Sequence, residues 1–453
     1  MTKVDRRDFL LGTVAAVGAT ALPPAASAAP VVQTTTSKRR VIGANDRVRV
    51  GVIGTGRQGT GDMRGHQRLE DVEIAAVCDV FATNLNKAGE LAAGAARHAD
   101  FRKVLDDPSI DAVVIATPDH WHALITVMAC QAGKDVYVEK PTSVAIAEGR
   151  AMVQAARKYQ RIVQVGTQQR SQPHFQKAAE LVRGGAIGDV TLVRCWNVGN
   201  APPQGIGNPP DGAPPEGLDW DMCLGPAKKV PFNPNRFGVV PDAWSHFRWF
   251  WDYAGGMMTD WGVHLIDIVH LAMNVEAPLS VSTIGGKFHL TDNRETPDTI
   301  VATFQYPDFV MTYENRVCNS QPMNGRFYGI EFHGTTATLF VDRERFEVRP
   351  EPAPSNRPQD AVRPETKTEA AAADGSFPSH QRNFIDCVKS RKAPICDIEI
   401  GHRSSSTAIL GNMALRSGQT VVWDAKTERV TNANVKAQGL VARAYRAPWK
   451  LVV

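Results

Sequence analysis

Residues 47–65 read RVRVGVIGTGRQGTGDMRG, and the order of residue types in that stretch decides the fold. Val48 to Ile53 is an apolar run of strand character that feeds straight into Gly54-Thr55-Gly56-Arg57-Gln58-Gly59, after which residues 57–68 can continue as a helix. Strand, glycine turn and helix in that order make a dinucleotide site. Gly54 permits the tight turn, and Gly56 lets backbone N–H groups approach a pyrophosphate. Gly59 lets the helix pack closely on the strand, with the positive end of its dipole toward the phosphates. Arg57 and Gln58 lie in the same turn and are expected to contact the cofactor.

Outward toward the N-terminus, Lys3, Arg6 and Arg7 precede an apolar stretch over residues 9–22, followed by the A-x-A pattern Ala26-Ser27-Ala28. This reads as an export signal over residues 1–28. Arg6-Arg7-Asp8-Phe9-Leu10 resembles the twin-arginine address of proteins exported already folded, which implies a periplasmic location and a cofactor loaded before export. The stretch is short of the roughly 20 apolar residues a span needs, so no stable membrane insertion is expected. Residues 29–46 form a polar arm. The seven cysteines are scattered without a C-x-x-C pair, against both a disulfide framework and a structural zinc site. A formal charge of +4 with no long basic run gives no footprint for nucleic acid.

Outward toward the C-terminus, 453 residues predict two domains, at roughly 100 to 200 residues each. In the first, residues 47–165, the strand Val72–Cys78 ends at Asp79, about 20 residues beyond the turn, where a carboxylate can bind an adenosine ribose and would repel a 2′-phosphate. That favours NAD over NADP. Residues 84–96 are alanine-rich and helical in pattern. Residues 110–117 form a buried parallel strand, whose carboxyl end places Thr117, Pro118 and His122 beside the cofactor. Val136-Tyr137-Val138-Glu139-Lys140-Pro141 is the next strand; Glu139 and Lys140 close it at the nicotinamide end. There the Lys140 ammonium can stabilise charge developing on a substrate oxygen.

Gln168-Gln169-Arg170 opens the second domain, residues 166–424, with Gln168 expected at the cofactor and Arg170 at the substrate. Residues 199–241 are dense in Pro, Gly and Asn, yet carry aromatic residues, and predict a long ordered loop over the site. Five of the nine tryptophans fall between Trp220 and Trp261, and such rings suit the C–H faces of a sugar. Trp244 and Trp249 are the candidates nearest substrate; core packing accounts for others. In Gly255-Gly256-Met257-Met258-Thr259-Asp260-Trp261-Gly262-Val263-His264, helical spacing puts Asp260 and His264 on one face. A secondary alcohol loses its proton as its hydride leaves, and His264 is suited to accept it, with Asp260 orienting the imidazole or binding a neighbouring hydroxyl. Asp267 and His270 extend the pattern toward a metal reading, but hydride transfer needs no metal and none is assigned. Apolar alternation over residues 279–290, 299–306, 310–315, 327–334 and 339–349 predicts the strands of an open, mainly antiparallel sheet. Residues 350–375 read as an exposed excursion, and the tail 425–453, with Tyr445 and Trp449, is expected to dock on a neighbouring subunit.

GVIGTGRQG, the acid of AAVCDV, ATPDHWH and especially YVEKP resemble the Gfo/Idh/MocA oxidoreductases, over roughly residues 47–424. The resemblance implies a Rossmann domain followed by an α/β domain whose open sheet makes a dimer or tetramer interface. It implies hydride transfer between a nicotinamide cofactor and a sugar or polyol carbon, and no metal. Position by position, Lys140, Asp260 and His264 match the family's catalytic trio. Two other readings stay open. One is an exported glycoside hydrolase using tightly bound NAD in a transient redox cycle, though DWGVHLID is more similar to the dehydrogenases. The other is a sugar sensor that retains the cofactor site.

Overall fold

A computed structural model describes residues 43, 46–238, 245–352, 364–371 and 377–453, the side chains of residues 377–379 excepted. The expected export signal, almost all of the arm, Trp244 and much of 350–375 lie outside the described residues.

The glycine turn sits at the centre of a six-stranded sheet ordered β3-β2-β1-β4-β5-β6. Its strands are β1 (Val48–Ile53), β2 (Val72–Cys78), β3 (Ala96–His98), β4 (Ala112–Ile115), β5 (Asp135–Val138) and β6 (Val163–Val165), and every pairing is parallel. The inner strands are short runs rich in Val, Ile and Ala with both faces covered, as parallel sheets require, while the edge strand β3 is largely exposed. The strand order reverses between β1 and β4, and the crevice at the carboxyl ends of those two strands is where doubly wound sheets bind ligands. The expected helix over 84–96 is instead Ala82–Leu91 followed by β3. Gly94, at φ 89, ends the helical stretch by turning the chain.

The second sheet has ten strands in the order β14-β13-β12-β11-β7-β10-β9-β8-β15-β16. They are β7 (Val190–Val198), β8 (Ser280–Gly286), β9 (Thr299–Gln305), β10 (Val310–Arg316), β11 (Tyr328–Gly334), β12 (Ala337–Val341), β13 (Arg345–Pro350), β14 (Lys367–Ala370), β15 (Val421–Asp424) and β16 (Arg429–Val430). The β7–β10 pair is parallel and the flanking pairs are antiparallel. Alternation along β9 and β10 buries Ile300, Ala302, Phe304, Met311 and Tyr313 beneath helices Pro173–Arg183, Gly262–Met273 and Ile398–Ser417. The opposite face leaves Ile284 80% and Val301 45% exposed. The single strand expected over 339–349 is two strands joined by a tight turn, and part of the expected excursion is the edge strand β14.

Helix Ile398–Ser417 ties the two sheets together, which explains serines inside a buried helix. Ser405 accepts the N–H of Thr142 at 3.0 Å, and Ser404 donates to Asp267 at 2.8 Å. Asp397 caps its first turn and Gly418, at φ 72, ends it. The C-terminal tail packs on its own chain. The Trp449 ring lies 4.8 Å from Trp121 and 6.3 Å from Phe101, and Arg443 pairs with Glu148 at 2.6 Å.

Burial holds His66, His122, His270 and His380 at a pKa of about 4, and His120 at about 3, well below the usual 6.5. The unfolded chain therefore binds more protons than the folded one between about pH 6.5 and 4, so stability rises with pH through that window and is lost as pH falls. Asp119 and Glu139, pushed up to about 7 by burial, act in the opposite sense but are outnumbered. One such histidine is worth up to about 3 kcal/mol. The thermal midpoint is expected to fall steeply from pH 7 to 4.5 in a calorimetric or fluorescence scan, and a flat profile would contradict this burial.

Candidate active site

The glycine turn fits a dinucleotide by its geometry. Gly54 stands at φ 84, and a Cβ there would lie 2.7 Å from the backbone nitrogen of Thr117. A Cβ on Gly59 would lie 1.8 Å from the Gly54 carbonyl oxygen, so turn and helix touch only because both residues are glycine. No side chain caps helix Arg57–Gln67 at Gly56, which leaves its first N–H groups for an anion. Thr117 Oγ1 is buried without a hydrogen-bond partner among the described residues and faces the same crevice. Gly59→Ala is expected to weaken NAD binding at least about 100-fold, through a clash worth about 3 kcal/mol. Calorimetric titration measures it, and unchanged affinity would sink the assignment of the turn.

Asp79 is placed as expected at the end of β2, yet it is also a brace. Its carboxylate accepts the Thr55 N–H at 2.7 Å and the Phe81 N–H at 2.9 Å, so it fixes the turn while keeping acceptor capacity for a ribose. Burial raises its pKa against those bonds. Beyond Asp79 an apolar slot of Ile53, Phe101, Trp121, Met222 and Phe237 suits an adenine ring. The segment expected as an ordered loop straps this slot. Ala82 donates to the Gly217 carbonyl at 2.9 Å, Asp219 to the Val80 carbonyl at 3.0 Å, and Phe237 packs edge-on to Phe81 at 5.4 Å.

The nicotinamide end opens into a cleft of about 270 Å³ lined by Arg57, Gln58, Thr117, Pro118, His122, Glu139 and Lys140. Lys140 reaches across from the mouth of β5 to the second domain. Its Nζ donates to Asp260 Oδ1 at 2.9 Å and to the Asp260 carbonyl at 3.2 Å. Arg248 Nε donates to the same Oδ1 at 2.9 Å. Burial pushes the Asp260 carboxyl up, but Lys140 and Arg248 outweigh it and hold the group below the usual carboxylate range. The helix carrying Asp260 is Gly256–Asp260, and the next, Gly262–Met273, begins after Trp261 with the tighter His264 N–H to Trp261 carbonyl bond of 3.1 Å. His264 thus lies on the same side of the chain, but the bonds to Lys140 and Arg248 take Asp260 away from orienting it. His264 Nδ1 is buried without a partner among the described residues, and burial, with Lys140 and Arg343 beside it, holds the ring neutral.

His122 spans the strand ends, with Nδ1 2.7 Å from the Pro141 carbonyl and Nε2 2.8 Å from that of Thr117. Gln58 donates weakly to Glu139 at 3.4 Å and to Asp62 at 3.2 Å, bracing the turn against β5. Three expectations need correction. Arg170 does not face substrate: it is 5% exposed and holds Asp267 through bonds of 2.9 and 3.0 Å. Trp249 is core, packed with Leu224, Phe250 and Tyr253, with the Arg294 guanidinium 4.5 Å over its ring. Gln168 lies in a short 3₁₀ turn and, like Asp260 and His264, is not among the residues lining the slot or the cleft, but unlike them it has no link to Lys140. Ser245, Phe247, Arg248, Asp119 and Arg343 do line the cleft. Of these, only Arg248, set among the aromatics of FRWFW, carried a signal in the sequence. Asp267 is taken by Arg170 and Ser404, and His270 by the Tyr306 hydroxyl at 2.9 Å.

Residues 48–167 match the family model described as an oxidoreductase family with NAD-binding Rossmann fold, and residues 224–422 match that family's C-terminal alpha/beta domain. The chain belongs to the Gfo/Idh/MocA oxidoreductase family. Myo-inositol 2-dehydrogenase of Thermotoga maritima is 30% identical over 156 residues, 34% of this chain and 47% of that protein. Glycosyl hydrolase family 109 protein 2 of Shewanella sp. (strain ANA-3) is 34% identical over 177 residues, 36% of this chain and 39% of that protein. The chain thus matches less than half the length of either relative. Among solved structures, the WlbA dehydrogenase from Bordetella pertussis, in complex with NADH and UDP-GlcNAcA, shares the fold at 20% identity, with a TM-score of 0.62 over 83% of this chain and 99% of that one. Levoglucosan dehydrogenase, in complex with NADH and levoglucosan, does so at 17% identity with a TM-score of 0.61, over 83% of this chain and 99% of that one. Both Gfo/Idh/MocA domains are therefore present here, the first of them the family's NAD-binding Rossmann fold.

Proposed function

We propose that this protein is a dehydrogenase that moves a hydride between NAD and a secondary hydroxyl or carbonyl carbon of a sugar, glycoside or polyol. One observation carries the reading: the Lys140–Asp260 pair joins the mouth of β5 to the helix leading into His264, at the open end of the NAD crevice. NAD supplies the hydride acceptor. The substrate hydroxyl sits between Lys140 and His264. An ammonium has three donors, and Asp260 takes two of those on Lys140, so the third is left for the substrate oxygen. His264 accepts the hydroxyl proton at Nε2, since its Nδ1 is sealed off. Inositol and levoglucosan in the names of its relatives, and the sugar acid bound to WlbA, support a polyhydroxylated substrate.

The protein is proposed to leave the cell interior by the twin-arginine route and to work in the periplasm. Little free NAD is expected there, and the strap over the adenine slot supports a cofactor held through many turnovers. The apolar outer face of the ten-stranded sheet, with Ile284, Val301, Val310 and Val422 exposed, supports a homo-oligomer built through that face. The Shewanella relative favours a second reading, in which transient oxidation of the sugar assists glycoside cleavage. Product analysis on a panel of glycosides and polyols separates the two. Keto product with one NADH per turnover supports the dehydrogenase, and free aglycone without net NADH supports cleavage.

A further inference from the structure

The turn between β12 and β13 is Asp342-Arg343-Glu344, and it is built to hold Arg343 still. Asp342 Oδ1 accepts the N–H groups of Glu344 at 2.8 Å and Arg345 at 3.0 Å, while Arg326 pairs with the same carboxylate. Arg343 extends from this turn into the wall of the cleft that Lys140 and Arg248 also line. Its guanidinium lies 4.7 Å over the ring of Trp261, which packs against Tyr328 at 4.9 Å and meets His264 edge-on at 6.4 Å. A planar cation stacked on an indole keeps a fixed fork orientation.

What it lacks among the described residues is a counter-charge. Three other buried or partly buried arginines of the second domain have one: Arg170 has Asp267, Arg248 has Asp260 and Arg294 has Asp292. Among the described residues Arg343 pairs with no carboxylate, and its hydrogen bonds are two long ones, 3.3 and 3.4 Å, to the amide oxygen of Gln169. Such an oxygen satisfies a donor but cancels no charge. Burial pulls the Arg343 pKa down, only partly offset by Tyr328 and Asp260. The cleft as a whole is short of negative charge. Arg57, Lys140, Arg248 and Arg343 line it against Asp119 and Glu139, both of which burial pushes up to about 7, while the Asp260 carboxylate is already held by Lys140 and Arg248.

We propose that Arg343 receives an anionic oxygen group of the substrate, a carboxylate or a phosphate, so that the sugar oxidised at Lys140 and His264 is an acidic one. The inference rests on the reading of the cleft as a sugar site and narrows it to a charge class. A guanidinium fork takes such a group through two parallel N–H bonds, and the anion supplies the missing counter-charge beside the proton acceptor.

Calorimetric titration of the full chain loaded with NAD tests this with glucuronate, glucose 6-phosphate, glucose and myo-inositol as probes, followed by NADH formation. One of the two acids is expected to bind about 10- to 100-fold tighter than glucose, the range of a charged hydrogen-bonded pair, and which acid does so identifies carboxylate or phosphate. Arg343→Gln should erase that preference and raise KM for the acid far more than it lowers kcat. Arg343→Lys should restore part of it, with NAD affinity and thermal midpoint unchanged in both. Neutral sugars that bind and are oxidised as well as the acids would overturn the inference and leave the dehydrogenase reading standing. Loss of neutral and acidic binding alike in Arg343→Gln would also overturn it. If no probe of either kind binds or reduces NAD, the sugar reading fails and this inference with it.

Discussion

His264→Ala is expected to lower kcat for sugar oxidation by about 10²- to 10⁴-fold, the usual worth of a positioned proton acceptor, while NAD stays bound. The ring borders the Lys140–Asp260 pair, and burial first, then the charges of Lys140 and Arg343, keep it neutral well below its ordinary pKa. The sign of the pH dependence follows. Oxidation needs the neutral ring, so the acid limb of kcat/KM should lie below pH 6.5, and removing a neighbouring cation should move it upward. Lys140→Ala should therefore cost turnover through the lost donor and also shift that limb toward neutrality. Steady-state rates between pH 4.5 and 8 check both, and normal turnover in either variant would remove the residue from the chemistry.

The second large effect belongs to Asp260. Its side chain is 9% exposed in the protein and accepts from Lys140 and Arg248 through one oxygen, each at 2.9 Å. Asp260→Ala leaves two largely buried cations facing each other without a counter-charge. Stranding a buried charge costs about 3 to 5 kcal/mol, so a lower denaturant midpoint is expected together with loss of turnover. Arg248→Met combined with Asp260→Ala removes one of the stranded cations and should recover part of the stability but none of the activity. If Asp260→Ala unfolds at the wild-type midpoint, the ion-pair triad does not hold the two domains as described.

The parallel sheet and its turn were legible because their physics is local. Apolar runs of four to seven residues ending in Gly54, Asp79, Thr117 and Lys140 each announce a strand whose carboxyl end carries function. His264 and Asp260 were legible as a pair by spacing, but their partnership was not. Spacing cannot show that Lys140, 120 residues away in sequence, and Arg248 take the carboxylate first. Arg170 misled because a basic residue at a domain junction looks available until Asp267 is seen against it. Trp249 misled because an indole suited to a sugar face is equally suited to a core. Arg343 gave no signal at all. The turn that carries it contains no Gly, Pro or Asn, and is made instead by the Asp342 side chain, so residues 339–349 look like one continuous strand.

The most direct test of the central claim follows the transferred atom. The NAD-loaded protein is mixed with a sugar or polyol deuterated at the reacting carbon, and absorbance at 340 nm is read beside the mass of the released cofactor. The account predicts a rise at 340 nm, a slower one than with the protiated substrate, and deuterium in the nicotinamide, with all three lost in His264→Ala. Saturable binding of those substrates with no absorbance change and no label in the cofactor would contradict it.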